Sequence, residues 1–92
     1  MAVTVRIPTQ LRELAGGASE VQLTEGTVAD VLGELDTTHP GFAARLHDDS
    51  GGLRRFVNVF VADEDIRFLS GVDTAVEAGQ TVSIVPAVAG GV

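Results

Sequence analysis

The sequence predicts an α+β fold in which one main helix crosses one face of a mixed β-sheet. Two strand-like runs of alternating apolar and polar residues come first, one amphipathic helical stretch follows, and further strand-like runs fill the second half. The chain has 92 residues, of which 45% are hydrophobic and 21% charged. That length and balance are typical of one small globular domain.

The N-terminal third predicts a β-hairpin. Residues 2–8 and 20–24 each alternate apolar and polar side chains, as half-buried strands do. A short amphipathic segment over 11–14 and the Gly16-Gly17 pair lie between them. Glycine tolerates the backbone conformations of a tight turn, so the two strands are expected to pair.

The main helix is predicted to begin after Thr27. The Thr27 hydroxyl can accept a hydrogen bond from the first helical turn, and Asp30 occupies the acidic position of a capping box. His39-Pro40-Gly41 should end this helix, because the residue before proline resists helical geometry. Residues 42–46 predict a further short helical turn. The apolar stripe of the main helix comprises Val28, Val31, Leu32 and Leu35.

The second half predicts three more strands. Residues 56–61 form the most regular strand pattern, with Val57, Val59 and Val61 on one side. The remaining segments are predicted as a turn over 63–65, a short strand over 66–68, a helical turn over 74–76 and a final strand over 81–86. If the first and last strands pair in parallel, this element order is the β-grasp, or ubiquitin-like, arrangement.

The face of the sheet opposite the valines is a candidate docking surface. Alternation places Phe56 and Phe60 on that face, where no helix is predicted to cover them. The alternative is that the segment over 42–55 folds across the two rings. The predicted partner-docking residues are Arg6, Phe56, Asn58, Phe60 and Val85.

The C-terminal residues predict a flexible tail rather than another element. Gly90 and Gly91 follow the last strand pattern and precede only Val92, so no later element requires them as a turn or a cap. Without a Cβ they make a thin chain that can thread a narrow channel and present a carboxylate to another protein. We therefore divide the chain into a domain over 1–86 and a tail over 87–92.

Composition excludes several function classes. The net charge of −7 disfavours binding to nucleic acid or to an anionic membrane. The chain has no cysteine, and its two histidines lack metal-ligand spacing, so no disulfide and no metal site are expected. A cytoplasmic location is favoured because small secreted domains usually need disulfides. The six basic residues are all arginine, so the chain offers no lysine amine for conjugation to itself.

The tail and the central strand resemble the ThiS/MoaD family of ubiquitin-like sulfur carriers, and most closely its CysO type from actinobacterial cysteine biosynthesis. The resemblance extends weakly over nearly the whole chain, and the central run favours the CysO type. The motifs that carry it are Val3-Thr4-Val5-Arg6-Ile7-Pro8, Arg55-Phe56-Val57-Asn58-Val59-Phe60-Val61, Asp63-Glu64-Asp65-Ile66-Arg67-Phe68 and Val85-Pro86-Ala87-Val88-Ala89-Gly90-Gly91.

The resemblance implies that the chain is a protein substrate and not an enzyme. An E1-like adenylyltransferase and sulfurtransferase would use ATP to adenylate the Gly91 carboxylate, next to Gly90, and convert it to a thiocarboxylate. A PLP-dependent cysteine-synthase-like enzyme, or another sulfur-acceptor enzyme, would take the sulfur. In CysO-type systems a metalloprotease then frees the cysteine from the carrier. The carrier itself would bind no cofactor.

Val92 departs from the family's usual end at Gly91. The resemblance implies that, if encoded, Val92 is removed by proteolysis between Gly91 and Val92 before activation; alternatively it is an addition to the natural chain. Two other functions stay open at this point. The chain could be the small subunit of molybdopterin synthase, or a ubiquitin-like modifier that forms isopeptide bonds.

Overall fold

A five-stranded mixed sheet with a helix across one face forms the domain. The computed structural model describes residues 2–47, 53 and 57–86. Within them the helices are α1 (Val28–Thr38) and α2 (Phe42–Leu46), with 3-10 helices at Thr9–Ala15, Ile66–Phe68 and Gly71–Asp73. The strands are β1 (Ala2–Arg6), β2 (Glu20–Thr24), β3 (Gly26–Thr27), β4 (Val57–Val61), β5 (Glu64–Asp65), β6 (Ala75–Val76) and β7 (Thr81–Pro86).

The strand order confirms the β-grasp prediction. In the main sheet the order is β2-β1-β7-β4-β5, and β3 pairs separately with β6. The first and last long strands, β1 and β7, are parallel neighbours, with Val5 aligned to Val82. β1 pairs antiparallel with β2, and β4 pairs antiparallel with β7. The last strand therefore lies at the centre of the sheet.

The predicted capping box of α1 is present. The Thr27 hydroxyl accepts a hydrogen bond from the Asp30 amide at 3.1 Å, and the Asp30 carboxylate accepts one from the Thr27 amide at 3.1 Å. Both partners satisfy donors that the first helical turn would otherwise leave unpaired. α1 ends at Thr38, immediately before His39 and Pro40, as predicted.

The core lies between α1 and the sheet. All three inward valines of β4 are buried, and so is the whole predicted stripe of α1. Phe42 of α2 is completely buried and is among the largest fully buried side chains. These residues belong to a core cluster with Val3, Val5, Ile7, Val82 and Ile84. The alternation of the sequence thus correctly assigns the inward face of each long strand.

The turn predicted over 63–65 lies earlier, and the strand predicted over 66–68 is wrong. The turn is formed by Ala62 and Asp63, whose φ angles of 51° and 71° are both left-handed, as in a tight two-residue hairpin. Glu64 and Asp65 then pair with β4 as a two-residue strand. The Asp65 carboxylate accepts a hydrogen bond from the Arg67 amide at 2.8 Å, and this cap begins a 3-10 helix where a strand was expected.

The helical turn predicted over 74–76 is also wrong. Ala75 and Val76 form a strand that pairs with Gly26 and Thr27, just before α1. The Thr74 carbonyl accepts a hydrogen bond from the first helical amide, at Val28. The segment therefore braces the start of α1, and the 3-10 helix lies earlier, over Gly71–Asp73.

None of the described helices is long and apolar enough to cross a membrane.

Candidate functional site

The sheet face opposite α1 brings together four of the five predicted docking residues. Arg6 of β1 is aligned with Ser83 of β7, which lies opposite Phe60 of β4. One pair further along, Val85 lies opposite Asn58. Residues directly opposite one another in a ladder point to the same face. The fifth predicted residue, Phe56, lies outside the described residues.

The side chains on this face differ in both polarity and exposure. Val85 is 46% exposed and the Arg6 side chain 66% exposed, while Asn58 and Phe60 are half-buried. Phe60 belongs neither to the core cluster nor to the partly buried hydrophobic side chains that pack against it. The surface is therefore a partly accessible mixture of apolar and polar side chains beside a cation, which is a composition that suits protein docking.

The described part of the 42–55 segment packs into the core. Phe42 and Leu46 are buried in the core cluster, and Leu53 packs against it from outside. Leu53 also forms an isolated bridge with His47. Of this segment, Phe42, Leu46 and Leu53 therefore pack with the core. Residues 48–52 and 54–55 lie outside the described residues, so the alternative cover for Phe60 stays a prediction.

A groove lies beside this surface, at the end of the sheet where β7 finishes. Its volume is about 240 Å³, and its lining includes Arg6, Pro8, Arg12 and Val85. The 3-10 helix Thr9–Ala15 brings Arg12 to the end of β1, where the Arg12 Nε donates a hydrogen bond to the Ile7 carbonyl at 3.1 Å. Arg12 was not predicted as a site residue, because no local pattern indicates this packing of the helix against the strand.

A second exposed apolar cluster follows β5. Phe68 is 87% exposed, Leu69 41% and Val72 38%. Phe68 was expected in a strand, but the 3-10 helix buries Ile66 instead and turns the ring outward.

No group of three or more His, Cys, Asp or Glu side chains among the described residues could hold a metal ion.

The predicted reactive end follows directly from the central strand. β7 ends at Pro86, between β1 and β4. Gly90, Gly91 and Val92, which carry the activation and processing predictions, lie outside the described residues, as does the rest of the tail predicted over 87–92. The last described residue, Pro86, follows Val85, which lines the groove together with Arg6 and Arg12.

Comparison with known proteins identifies the family. The model of the ThiS family matches residues 5–91. This chain belongs to the ThiS family. Its sequence is 47% identical to the sulfur carrier protein CysO of Mycobacterium tuberculosis over 93 residues, covering 99% of this chain and 100% of that protein. The predicted resemblance to ThiS-family carriers of the CysO type is therefore confirmed.

Two further relatives place the chain within the family. A chain in the crystal structure of the BexX/CysO complex from Amycolatopsis orientalis superposes with a TM-score of 0.90 at 46% identity, covering 98% of this chain and 100% of that one. The small archaeal modifier protein 3 of Haloferax volcanii is 36% identical over 93 residues, covering 99% of this chain and 100% of that protein. The match to this family extends over the domain and reaches Gly91.

Proposed function

We propose that this protein is a sulfur carrier that serves as a substrate for other enzymes and is not itself a catalyst. The observation that carries the proposal is the identity of 47% over the full length of a sulfur carrier, CysO. The family match that ends at Gly91, after Gly90, supports the same reading, because these two glycines supply the reactive end of such a carrier.

The chemistry takes place at the Gly91 carboxylate, after Val92 has been removed by a protease. A carboxylate oxygen attacks the α-phosphorus of ATP on an E1-like enzyme, and pyrophosphate leaves. Hydrosulfide supplied by a sulfur donor then attacks the acyl carbon, and AMP leaves, so that a thiocarboxylate remains. Glycine suits both steps because it has no side chain beside the reacting carbonyl.

The thiocarboxylate sulfur is nucleophilic and stays attached to a protein, so it can be delivered without release of free sulfide. The proposed recipient is a PLP-dependent cysteine-synthase-like enzyme or another sulfur-acceptor enzyme. The carrier contributes no acid, base, metal or cofactor to these steps. Its role is to bind each partner through the sheet face and to place the tail in that partner's active site. ATP and PLP imply a cytoplasmic setting.

A modifier that forms isopeptide bonds is the second candidate, favoured by the similarity to small archaeal modifier protein 3. A modifier would use the same acyl-adenylate, but a lysine amine of a target protein would displace the AMP. The chain has no lysine of its own, so chains of this protein linked to itself through lysine are excluded. Any conjugates would have to contain other proteins.

Intact mass spectrometry distinguishes these functions. The chain ending at Gly91 is incubated with the E1-like enzyme from the same genome, ATP and a sulfur donor. Exchange of one oxygen for sulfur on the carrier supports the proposal, and the chain lacking both terminal glycines is the matched control. Conjugates to lysines of other proteins, without a thiocarboxylate, would support the modifier. Stable co-purification with a large molybdopterin synthase subunit would instead indicate that the chain is the small subunit of that enzyme.

A further inference from the structure

The groove at the end of β7 combines two cations with an apolar wall in an otherwise acidic protein. Arg6 and Arg12 line it together, although the chain carries thirteen acidic residues against six arginines. Val85, 46% exposed, and Pro8 supply the apolar part. This positively charged groove therefore lies on a chain whose net charge is −7. Charge complementarity favours an acidic group of a partner at this position.

Arg12 is held in place by one hydrogen bond and has no carboxylate partner among the residues that the structure describes. Its Nε donates to the Ile7 carbonyl at 3.1 Å, which fixes the guanidinium at the end of β1. A guanidinium has five N–H donors, so this bond leaves the terminal nitrogens for another acceptor. Within residues 2–47, 53 and 57–86 no carboxylate forms an ion pair with Arg12. A planar guanidinium held in place can donate two parallel hydrogen bonds to the two oxygens of one carboxylate.

Arg6 is only weakly engaged. Its Nε lies 4.0 Å from the nearest Glu20 carboxylate oxygen, and the two side chains are 66% and 53% exposed. An ion pair at that distance between exposed side chains contributes little, so Arg6 can turn toward an incoming group at small cost. Ser83, aligned with Arg6 on β7, adds a hydroxyl at the same edge of the groove.

We infer that this groove receives a carboxylate side chain of the enzyme that activates the tail, with an apolar neighbour of that side chain against Val85; the inference rests on the proposed function. The groove measures about 240 Å³. Clefts that enclose whole small-molecule ligands measure roughly 300–1,000 Å³, so a side chain fits this groove better than a nucleotide does.

The groove acts on binding and not on the reacting carbonyl. Gly91 is the fifth residue after Pro86. Five extended residues span about 17 Å. The reacting carboxylate therefore works far from Arg6 and Arg12 when the tail is inserted in a channel. The contact holds the base of the tail against the enzyme, and its loss should raise the KM for the carrier while leaving kcat unchanged.

The test measures ATP–pyrophosphate exchange by the activating enzyme at varied concentrations of carrier chains ending at Gly91. The variants are Arg12→Glu, Arg12→Gln and Arg45→Glu. Arg45 is an exposed arginine on α2 and controls for the change in net charge. Glutamine removes the charge but keeps an N–H donor for the Ile7 carbonyl. Lysine is avoided because it would introduce a nucleophilic amine absent from the native chain.

The expected result is a rise in the carrier KM of about tenfold or more for Arg12→Glu and a smaller rise for Arg12→Gln. kcat and the KM for ATP should stay constant, and Arg45→Glu should change the carrier KM by no more than about twofold. The salt dependence of KM should weaken in Arg12→Gln, because one screened attraction is gone, and weaken further in Arg12→Glu, where salt screens a repulsion. Melting temperatures of all variants verify that the domain remains folded.

Four outcomes overturn the inference. Equal KM values for Arg12→Glu and Arg45→Glu would show that only net charge matters. A fall in kcat, or a rise in the KM for ATP, would show that Arg12 contacts the nucleotide or the reacting group. Unchanged kinetics in Arg12→Glu, with the unmutated chain active, would refute the inference alone. Failure of the unmutated chain to be adenylated at all would refute the proposed function and this inference with it.

Discussion

Truncation of Phe60 should weaken partner binding more than it weakens the fold. The comparison is between Phe60→Ala and Val59→Ala, two neighbouring substitutions on opposite faces of β4. Val59 is 1% exposed and belongs to the core, whereas Phe60 is half-buried on the other face and lies outside the core cluster. Phe60→Ala removes many more atoms, so an argument from side-chain size alone predicts the opposite order of stability loss.

The magnitudes follow from burial. Val59→Ala removes two buried methyl groups at about 0.8 kcal/mol each, and the cavity left behind raises the loss to about 2–3 kcal/mol. Phe60→Ala would cost about 3–5 kcal/mol if the ring were core. On the half-exposed face we expect about 1 kcal/mol. For a domain of this size each kcal/mol lowers the melting temperature by about 4–8 °C.

Binding should show the reverse order. An aromatic side chain at the centre of an interface typically contributes about 2 kcal/mol or more, which corresponds to about a 30-fold rise in Kd. Val59→Ala should leave the Kd for the activating enzyme nearly unchanged below its own melting transition. Calorimetric titration of each folded variant into the activating enzyme, beside thermal denaturation followed by circular dichroism, measures both quantities. A loss of 3 kcal/mol or more in Phe60→Ala with an unchanged Kd would falsify the assignment of Phe60 to a docking surface.

Three further outcomes are expected. Thr27→Ala should lower the free energy of unfolding by about 1 kcal/mol, and a double-mutant cycle with Asp30→Ala should be non-additive because the two residues cap one another; additivity would contradict the reciprocal cap. The chain ending at Val92 should form thiocarboxylate far more slowly than the chain ending at Gly91 without protease, because its carboxylate sits about 3.5 Å further along; equal rates would rule out Val92 as a block. Phe68→Ser should change the free energy of unfolding by no more than about 0.5 kcal/mol, since the ring is 87% exposed; a larger loss would mean that the ring packs against the domain in solution.

The long elements could be predicted because their patterns are local. The valines of β4 alternate strictly, and Thr27 and Asp30 are three residues apart, so neither needs a distant partner to be recognised. The 62–68 segment could not be predicted, because Ala62 and Asp63 adopt left-handed conformations without the Asn-Gly or Asp-Gly signal of such turns.

The remaining differences come from tertiary pairing. The strand Ala75–Val76 is too short to show a period and exists because Gly26–Thr27 lies beside it. The candidate docking face follows from alternation, which places Phe60, Asn58 and Val85 on the side of the sheet opposite the buried valines. Arg12 lies beside that face because the 3-10 helix Thr9–Ala15 folds back onto Ile7, and the spacing between the two positions does not predict that contact.

The central position of β7 has a mechanical consequence for whatever grips the last residues. β7 is bonded along three aligned pairs to parallel β1 and along five to antiparallel β4. A pull on the chain beyond Pro86 loads both ladders along the strand direction. The hydrogen bonds of both ladders must then yield together, whereas an edge strand pulled in the same direction would be held by one ladder only. An enzyme that draws the last residues into its channel therefore pulls the whole domain toward itself, and the sheet transmits that force without unravelling.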